Sequence, residues 1–227
     1  MPKISAEEVR VALRSHECVC IDVDSTACTD EGIDVLAEAA GCGQEVADWT
    51  RKAMGGNVTF QESFAARLNI IKPTTDLISR VVARGPSLTP GVKEFVEQLH
   101  ALDKKVYLIS GGIRDLVAPV ADALSIPRDR IFANVLHFND AGEYTHFDET
   151  QPTSRSGGKP EAIHAIKQRP GHDRVVMIGD GVTDMEARPP ADLFIGFGGN
   201  VVREKVQAGC DFFATDFDML TTMLKEQ

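Results

Sequence analysis

The chain has 227 residues, and its 34 Asp and Glu against 24 Lys and Arg give a net charge of −10. That length is long for a minimal module and short for two full domains, so one core domain carrying an inserted subdomain is expected. The acidic balance repels a phosphate backbone and disfavours nucleic acid as a partner, so any phosphate handled here needs locally placed cations.

Met1-Pro2-Lys3-Ile4-Ser5 leads into Glu7, Glu8 and Arg10 rather than into the apolar core of a signal peptide. No apolar run approaches the roughly 18 residues of a membrane span, so a soluble, cytoplasmic protein without membrane association is expected. Ser5 and Glu8 form a capping box for a helix from Ala6 to Arg14. The run Cys18-Val19-Cys20-Ile21 then lacks polar alternation, as a parallel strand buried on both faces does. Cys18, Cys20, Cys28, Cys42 and Cys210 are odd in number and lack the spacing of a zinc or redox pair, so reduced, mostly buried thiols are expected.

The next such run is Val106-Tyr107-Leu108-Ile109, and residues 22–105 are far more than one crossover needs. Within them, helical patterns run near Ile33 to Ala40, Gln44 to Met54, Thr59 to Ile71 and Asp76 to Ala83. They read as an inserted helical cap over 31–86, leaving 1–30 and 87–227 as the core. Asn57-Val58-Thr59 matches a glycosylation acceptor, but Thr59 as the cap of the following helix is the simpler reading. Helices follow at Val92 to Leu102 and Leu116 to Leu124. The stretch Ile131 to Phe147 alternates around Asn139-Asp140-Ala141-Gly142 and reads as a hairpin-like flap, about 131–150. A helix from Glu161 to Gln168, the buried runs Val175-Val176-Met177-Ile178 and Leu193-Phe194-Ile195, and an edge strand Phe212-Phe213-Ala214 complete the pattern. Strands alternating with helices imply an α/β fold, a doubly wound, Rossmann-like parallel sheet.

Three buried runs end in polar residues: Asp22-Val23-Asp24-Ser25-Thr26, Ser110-Gly111-Gly112 and Gly179-Asp180-Gly181-Val182-Thr183-Asp184. The carboxyl ends of parallel strands form the ligand crevice, so all three converge there. Carboxylates crowded in one crevice repel one another, and a hard cation such as Mg2+ compensates them, with Asp22 and Asp180 as the expected ligands. Asp22 is then either a ligand only or also a nucleophile. Asp24 decides for the nucleophile, because a departing alkoxide needs a proton and the attacking water needs a base.

Lys159 follows Ser156-Gly157-Gly158 and opens a helix, where a cation costs up to about 1 kcal/mol against the macrodipole unless an anion offsets it. The segment is no nucleotide P-loop, since Ser154 stands where glycine is required and Pro160 replaces the Ser/Thr. Ser110 with the N–H groups of Gly111 and Gly112 at a helix start offers a second phosphate cradle, or only a turn. In the cap, Arg67 lies beside the apolar face of Phe60, Phe64, Leu68 and Ile71. It either snorkels over that face or clamps a substrate carboxylate. Glu31 is either a first-turn helix acid or the partner of a substrate amine. Met54-Gly55-Gly56 is either core plus a helix stop or part of the entrance.

Together with Arg51-Lys52-Ala53-Met54-Gly55-Gly56 and Phe147-Asp148-Glu149-Thr150-Gln151-Pro152-Thr153, these motifs resemble the haloacid dehalogenase-like phosphatases, and among them the animal-type phosphoserine phosphatases. The resemblance covers almost the whole chain. It implies Asp22 as nucleophile and Mg2+ ligand, Asp24 as acid/base and ligand through its carbonyl, and Asp180 as ligand with Asp184 in support. Ser110, Gly111, Gly112, Lys159 and Thr183, with Gly55, would hold phosphate. Glu31, Met54 and Arg67 would read the amine, chain and carboxylate of O-phospho-L-serine, the substrate that yields L-serine in the last step of its biosynthesis. A homodimer is also compatible with the resemblance. Ala27-Cys28-Thr29-Asp30 and Arg188 depart from the family pattern. Two rivals remain: the same chemistry on another phosphomonoester, and a phospho-accepting signalling domain, against which Asp24 and the cap argue.

Overall fold

The computed structural model describes residues 3–54 and 58–225, the side chains of 52–54 excepted. Its strands are β1 (Cys18–Ile21), β2 (Lys105–Ile113), β3 (Ile131–Asn134), β4 (Leu136–Phe138), β5 (Tyr144–Phe147), β6 (Val175–Gly179), β7 (Leu193–Phe197) and β8 (Phe212–Ala214). Its helices are α1 (Ala6–Ser15), α2 (Gly32–Ala40), α3 (Gly43–Met54), α4 (Phe60–Ile71), α5 (Thr75–Val82), α6 (Val92–Ala101), α7 (Arg114–Ala123), α8 (Gly158–Lys167), α9 (Val182–Met185), α10 (Glu204–Gly209) and α11 (Phe217–Lys225).

The order β3-β2-β1-β6-β7-β8 makes one sheet in which every neighbouring pair is parallel. Side chains alternate between the two faces of a strand, and both faces are covered. Val19 and Ile21 of β1, with Val176 and Ile178 of β6, join a cluster under α1, α6, α7 and α11. Cys18, Cys20, Val175 and Met177 join another under α8 and α10. Unbroken apolar runs follow from this double coverage. Burial pushes the Cys18 and Cys28 thiols up to about 12, so both behave as protonated apolar groups.

The expected capping box of Ser5 with Glu8 opens α1, and Thr59 caps α4 as expected, there in a box with Glu62. The four cap helices lie within a residue or two of their expected spans and pack on Leu36, Phe64, Leu68, Leu77 and Ile78. The chain enters and leaves the cap side by side. Cys28 and Leu88 form an antiparallel bridge, and the Thr29 N–H donates to Ser87 O at 2.9 Å.

The stretch expected as one flap divides. Ile131–Asn134 is the sheet's edge strand β3, parallel to β2, and only β4 and β5 form the antiparallel hairpin. That hairpin leans on the cap: Phe147 meets Phe64 at 5.2 Å between ring centres, the Thr75 N–H donates to Gly142 O, and the Tyr144 N–H donates to Pro73 O. Among the described residues no helix is long and apolar enough to cross a membrane.

Candidate active site

From β1 the winding runs outward through β2 and β3, then restarts on the other side with β6, β7 and β8. The topological switch point therefore lies between β1 and β6, where an open α/β sheet binds its ligand. Asp22 follows β1 and Asp180 follows β6, so the two carboxylates flank this point.

The chain after β1 folds into a tight turn over 23–27, in which the Ala27 N–H returns to Asp22 O and the Cys28 N–H to Val23 O. Ser25 sits there at φ 55°, a left-handed conformation that costs a non-glycine residue about 1–3 kcal/mol and concentrates at functional sites. The turn is held from outside. Asn200 Nδ2 donates to Ser25 O (3.1 Å), Cys28 O (3.2 Å) and Thr89 Oγ1 (2.7 Å), and Thr89 Oγ1 donates to Thr26 O at 2.6 Å.

Asp22, Asp180, Asp184 and Lys159 are all buried. Lys159 Nζ lies 2.7 Å from Asp22 Oδ1 and 2.5 Å from Asp184 Oδ1. Burial works against its charge, yet Asp184 and Asp22 together hold its pKa above the ordinary lysine value. Burial, with the charge of Asp184 added, pushes the Asp22 carboxyl well above the usual carboxylate range despite Lys159. Asp184 Oδ2 also accepts the Gly181 N–H at 2.9 Å. A Cβ on Gly179 would lie 2.2 Å from the Asp184 carboxyl carbon, so only glycine lets that acid in.

Asp180 is clamped by two residues whose roles the sequence reading missed. Thr26 Oγ1 accepts the Asp180 N–H and donates to Asp180 Oδ1, both at 3.1 Å, and Arg203 Nε donates to Asp180 Oδ2 at 2.8 Å. Thr26→Val keeps the shape but strands a buried N–H and a carboxylate oxygen. It is expected to cost about 1–3 kcal/mol in urea unfolding and to weaken divalent-ion binding about 10-fold in a Mn2+ titration.

Asp24 is held differently. Its Oδ1 accepts the N–H of Gly32, the first residue of α2, at 2.7 Å, and its Oδ2 accepts the Ser110 hydroxyl at 3.0 Å. The acid/base candidate is thus bonded to the cap. Ser110 corrects one expectation: it lies fully buried within β2, not at a helix start, and α7 begins only at Arg114. Its Oγ also accepts the Gly112 N–H at 2.7 Å, so Ser110 positions Asp24 and Gly112 rather than facing the cleft. Gly111 is fixed by Asn134, which donates to its carbonyl at 2.8 Å and accepts from Thr153 at 2.9 Å.

A cleft of about 390 Å³ brings together Asp22, Asp24, Glu31, Arg67, Gly111, Gly112, Lys159, Asp180, Thr183 and Arg203. Phe60 roofs it, close enough that a Cβ on Gly111 would lie 3.0 Å from the ring. Glu31 Oε1 accepts the Ser25 hydroxyl at 2.7 Å and lies 3.9 Å from Arg203 Nη2; burial, then the charge of Asp24, raises its pKa. Arg67 is half-buried, with Nε donating to Ser63 O at 3.2 Å. Its terminal nitrogens have no hydrogen-bond partner among the described residues. Burial lowers its pKa, opposed by Asp34, Glu31 and Asp24. The Met54 side chain and Gly55 lie outside the described residues. Arg188, one departure from the family pattern, pairs with the buried Asp211 away from the cleft.

Asp22, Asp180 and Asp184 each present a carboxylate oxygen within 4.8 Å of the others. An all-oxygen, acidic donor set suits a hard divalent cation. Lys159 and Arg203 bring only two positive charges to three buried carboxylates, so the set fits such an ion.

The model of the haloacid dehalogenase-like hydrolases matches residues 16–192. The human phosphoserine phosphatase is 47% identical over 224 residues, covering 98% of this chain and all of its own length. The chloroplastic phosphoserine phosphatase of Arabidopsis thaliana is 49% identical over 224 residues, 97% of this chain and 76% of its own. A solved phospho-aspartyl intermediate analogue of phosphoserine phosphatase superposes with a TM-score of 0.80 at 25% identity, covering 92% of this chain and 99% of its own. The match extends over most of the chain at nearly half identity, and the chain belongs to the haloacid dehalogenase-like hydrolases, in their phosphoserine phosphatase group, as a phosphoric monoester hydrolase.

Proposed function

We propose that the protein hydrolyses O-phospho-L-serine to L-serine and phosphate, with Asp22 as nucleophile and Mg2+ as cofactor. One observation carries the substrate: Glu31 and Arg67, an anion and a cation from the cap side, line the same cleft as Asp22. A zwitterionic amino acid matches that pair, its ammonium toward Glu31 and its carboxylate toward the free fork of Arg67.

Asp22 Oδ attacks phosphorus, the phosphorus–ester oxygen bond breaks, and the serine oxygen takes its proton from Asp24. Water then attacks the acyl phosphate and gives a proton to the Asp24 carboxylate, which frees phosphate and restores Asp22. Lys159, Gly111, Gly112 and Thr183 hold the phosphoryl oxygens, while Ser110 orients Asp24. Asp22, Asp180, the Asp24 carbonyl and Asp184 in support are the residues to hold Mg2+, which when bound neutralises charge on the transferring group. Thr26 and Arg203 keep Asp180 in place for it. Met54 and Gly55 remain assigned by resemblance, as do a cytoplasmic location and a place at the end of serine biosynthesis.

Phosphate release from L-phosphoserine and from a panel of phosphomonoesters, with Mg2+ and with excess chelator, tests this reading. A strong Mg2+-dependent preference for phosphoserine is expected; a better substrate elsewhere in the panel overturns the substrate assignment, and no turnover overturns the function. Arg67→Ala is expected to lower kcat/KM for phosphoserine about 10²-fold, the scale of a lost charge-assisted bidentate contact. It should leave an aryl phosphate within a few-fold, and equal losses on both remove Arg67 from the specificity role.

A further inference from the structure

A second cavity, of about 270 Å³, shares a wall with the cleft, since Asp24 and Gly112 line both. Its body is apolar, built by Val35 and Val81 from the cap and by Leu116, Val117 and Val120 from α7. With the Asp24 carboxylate on the shared wall already bonded to Gly32 and Ser110, two further charged residues complete the lining. Asp30 stands half-buried where the chain enters the cap, and exposed Arg84 stands where it leaves. Neither side chain makes an ion pair or hydrogen bond among the described residues.

The cavity straddles the hinge. Cys28 and Ser87, from the two linkers that pair side by side, are part of its wall. Any occupant touches cap and core at once, and the shared wall is the acid/base residue that bonds to the cap at Gly32. A ligand that fits one cap–core angle better than another shifts the equilibrium between them.

The lining specifies the ligand's chemistry. An apolar body with one anion and one cation at its margin suits a small zwitterion bearing an apolar side chain, and the volume is below that of sites for drug-sized molecules. We infer that this hinge cavity is a second, regulatory site for a free amino acid with an apolar side chain, its ammonium paired with Asp30 and its carboxylate with Arg84. Occupancy holds the cap in the present arrangement, so product leaves more slowly and kcat and KM fall together. The effect on turnover rests on the proposed function; the binding does not.

The test is calorimetric titration of L-leucine into the full-length protein in Mg2+, beside the Arg84→Ala and Arg67→Ala variants. Arg84 is exposed, so its replacement leaves the fold intact. The expected result is a single site with a dissociation constant of about 1 mM, weakened at least about 10-fold by Arg84→Ala and unchanged by Arg67→Ala. In the phosphoserine assay, saturating leucine lowers kcat and KM each about 5-fold, and Arg84→Ala abolishes that change without altering the basal rate. Binding lost in Arg67→Ala but kept in Arg84→Ala places leucine in the catalytic cleft and overturns the inference. So does the absence of binding, indifference to both substitutions, or equal binding of 3-methylbutan-1-ol, which has the apolar body without the charges. A protein that binds leucine as expected but does not hydrolyse phosphoserine keeps this site and loses only the proposed activity.

Discussion

Asp22→Asn is expected to fold and to lose at least about 10⁴-fold in kcat on every phosphomonoester, the scale on which hydrolases feel the loss of a nucleophile. An amide cannot form the acyl phosphate, yet it fits the same space and its oxygen still accepts from Lys159. The fold gains from the change. Burial and the charge of Asp184 raise the Asp22 pKa, so the folded protein holds that proton at pH values where the unfolded chain has released it. A carboxyl raised in this way contributes stability below its unfolded pKa, and the contribution is lost as pH rises above it. In chelator, the variant is therefore expected to match the parent in urea near pH 4 and to exceed it increasingly toward neutral pH. A variant that turns over at a tenth of the parent rate excludes Asp22 as the nucleophile.

Lys159→Met carries the second large effect, because it acts on stability and on chemistry together. The lysine is 7% exposed and bridges two buried carboxylates. Methionine fills its stem but leaves Asp22 and Asp184 without their cation, and breaking a buried pair this way costs about 3–5 kcal/mol. Part of that loss returns on adding Mg2+, because the same two carboxylates belong to the acidic triad. Turnover at saturating Mg2+ falls about 10²–10³-fold, the magnitude of a lost donor to developing charge. Unfolding in chelator that matches the parent, with normal turnover, removes Lys159 from both roles.

Much of this arrangement is legible in the sequence because parallel strands covered on both faces leave unbroken apolar runs. Cys18–Ile21 and Val175–Gly179 are such strands, and the aspartates that follow them have one place to go. The cap helices are legible for a similar reason, as periodic segments, α4 among them opened by a side-chain cap at Thr59. Ile131–Asn134 is not, since its alternation continues into the hairpin and nothing local separates an edge strand from a flap. The short helices α9 and α10 present too few turns for a period. Ser110 and Thr26 stand inside recognisable motifs, but which group each hydroxyl bonds is decided by residues far away in the chain. Arg203 carries no motif. Its one signal is position, shortly after the carboxyl end of β7, and its pairing with Asp180 arises only when β6 and β7 lie side by side.

The proposed mechanism turns on a phosphoryl group carried covalently on Asp22. Acid quench of the protein turning over L-phosphoserine in Mg2+, followed by borohydride reduction and peptide mass spectrometry, reads that directly, because an aspartyl phosphate is reduced to homoserine. Homoserine is expected at position 22, absent from Asp22→Asn and from samples without substrate. Homoserine at another aspartate, or none at any position while phosphate is released at the full rate, contradicts it.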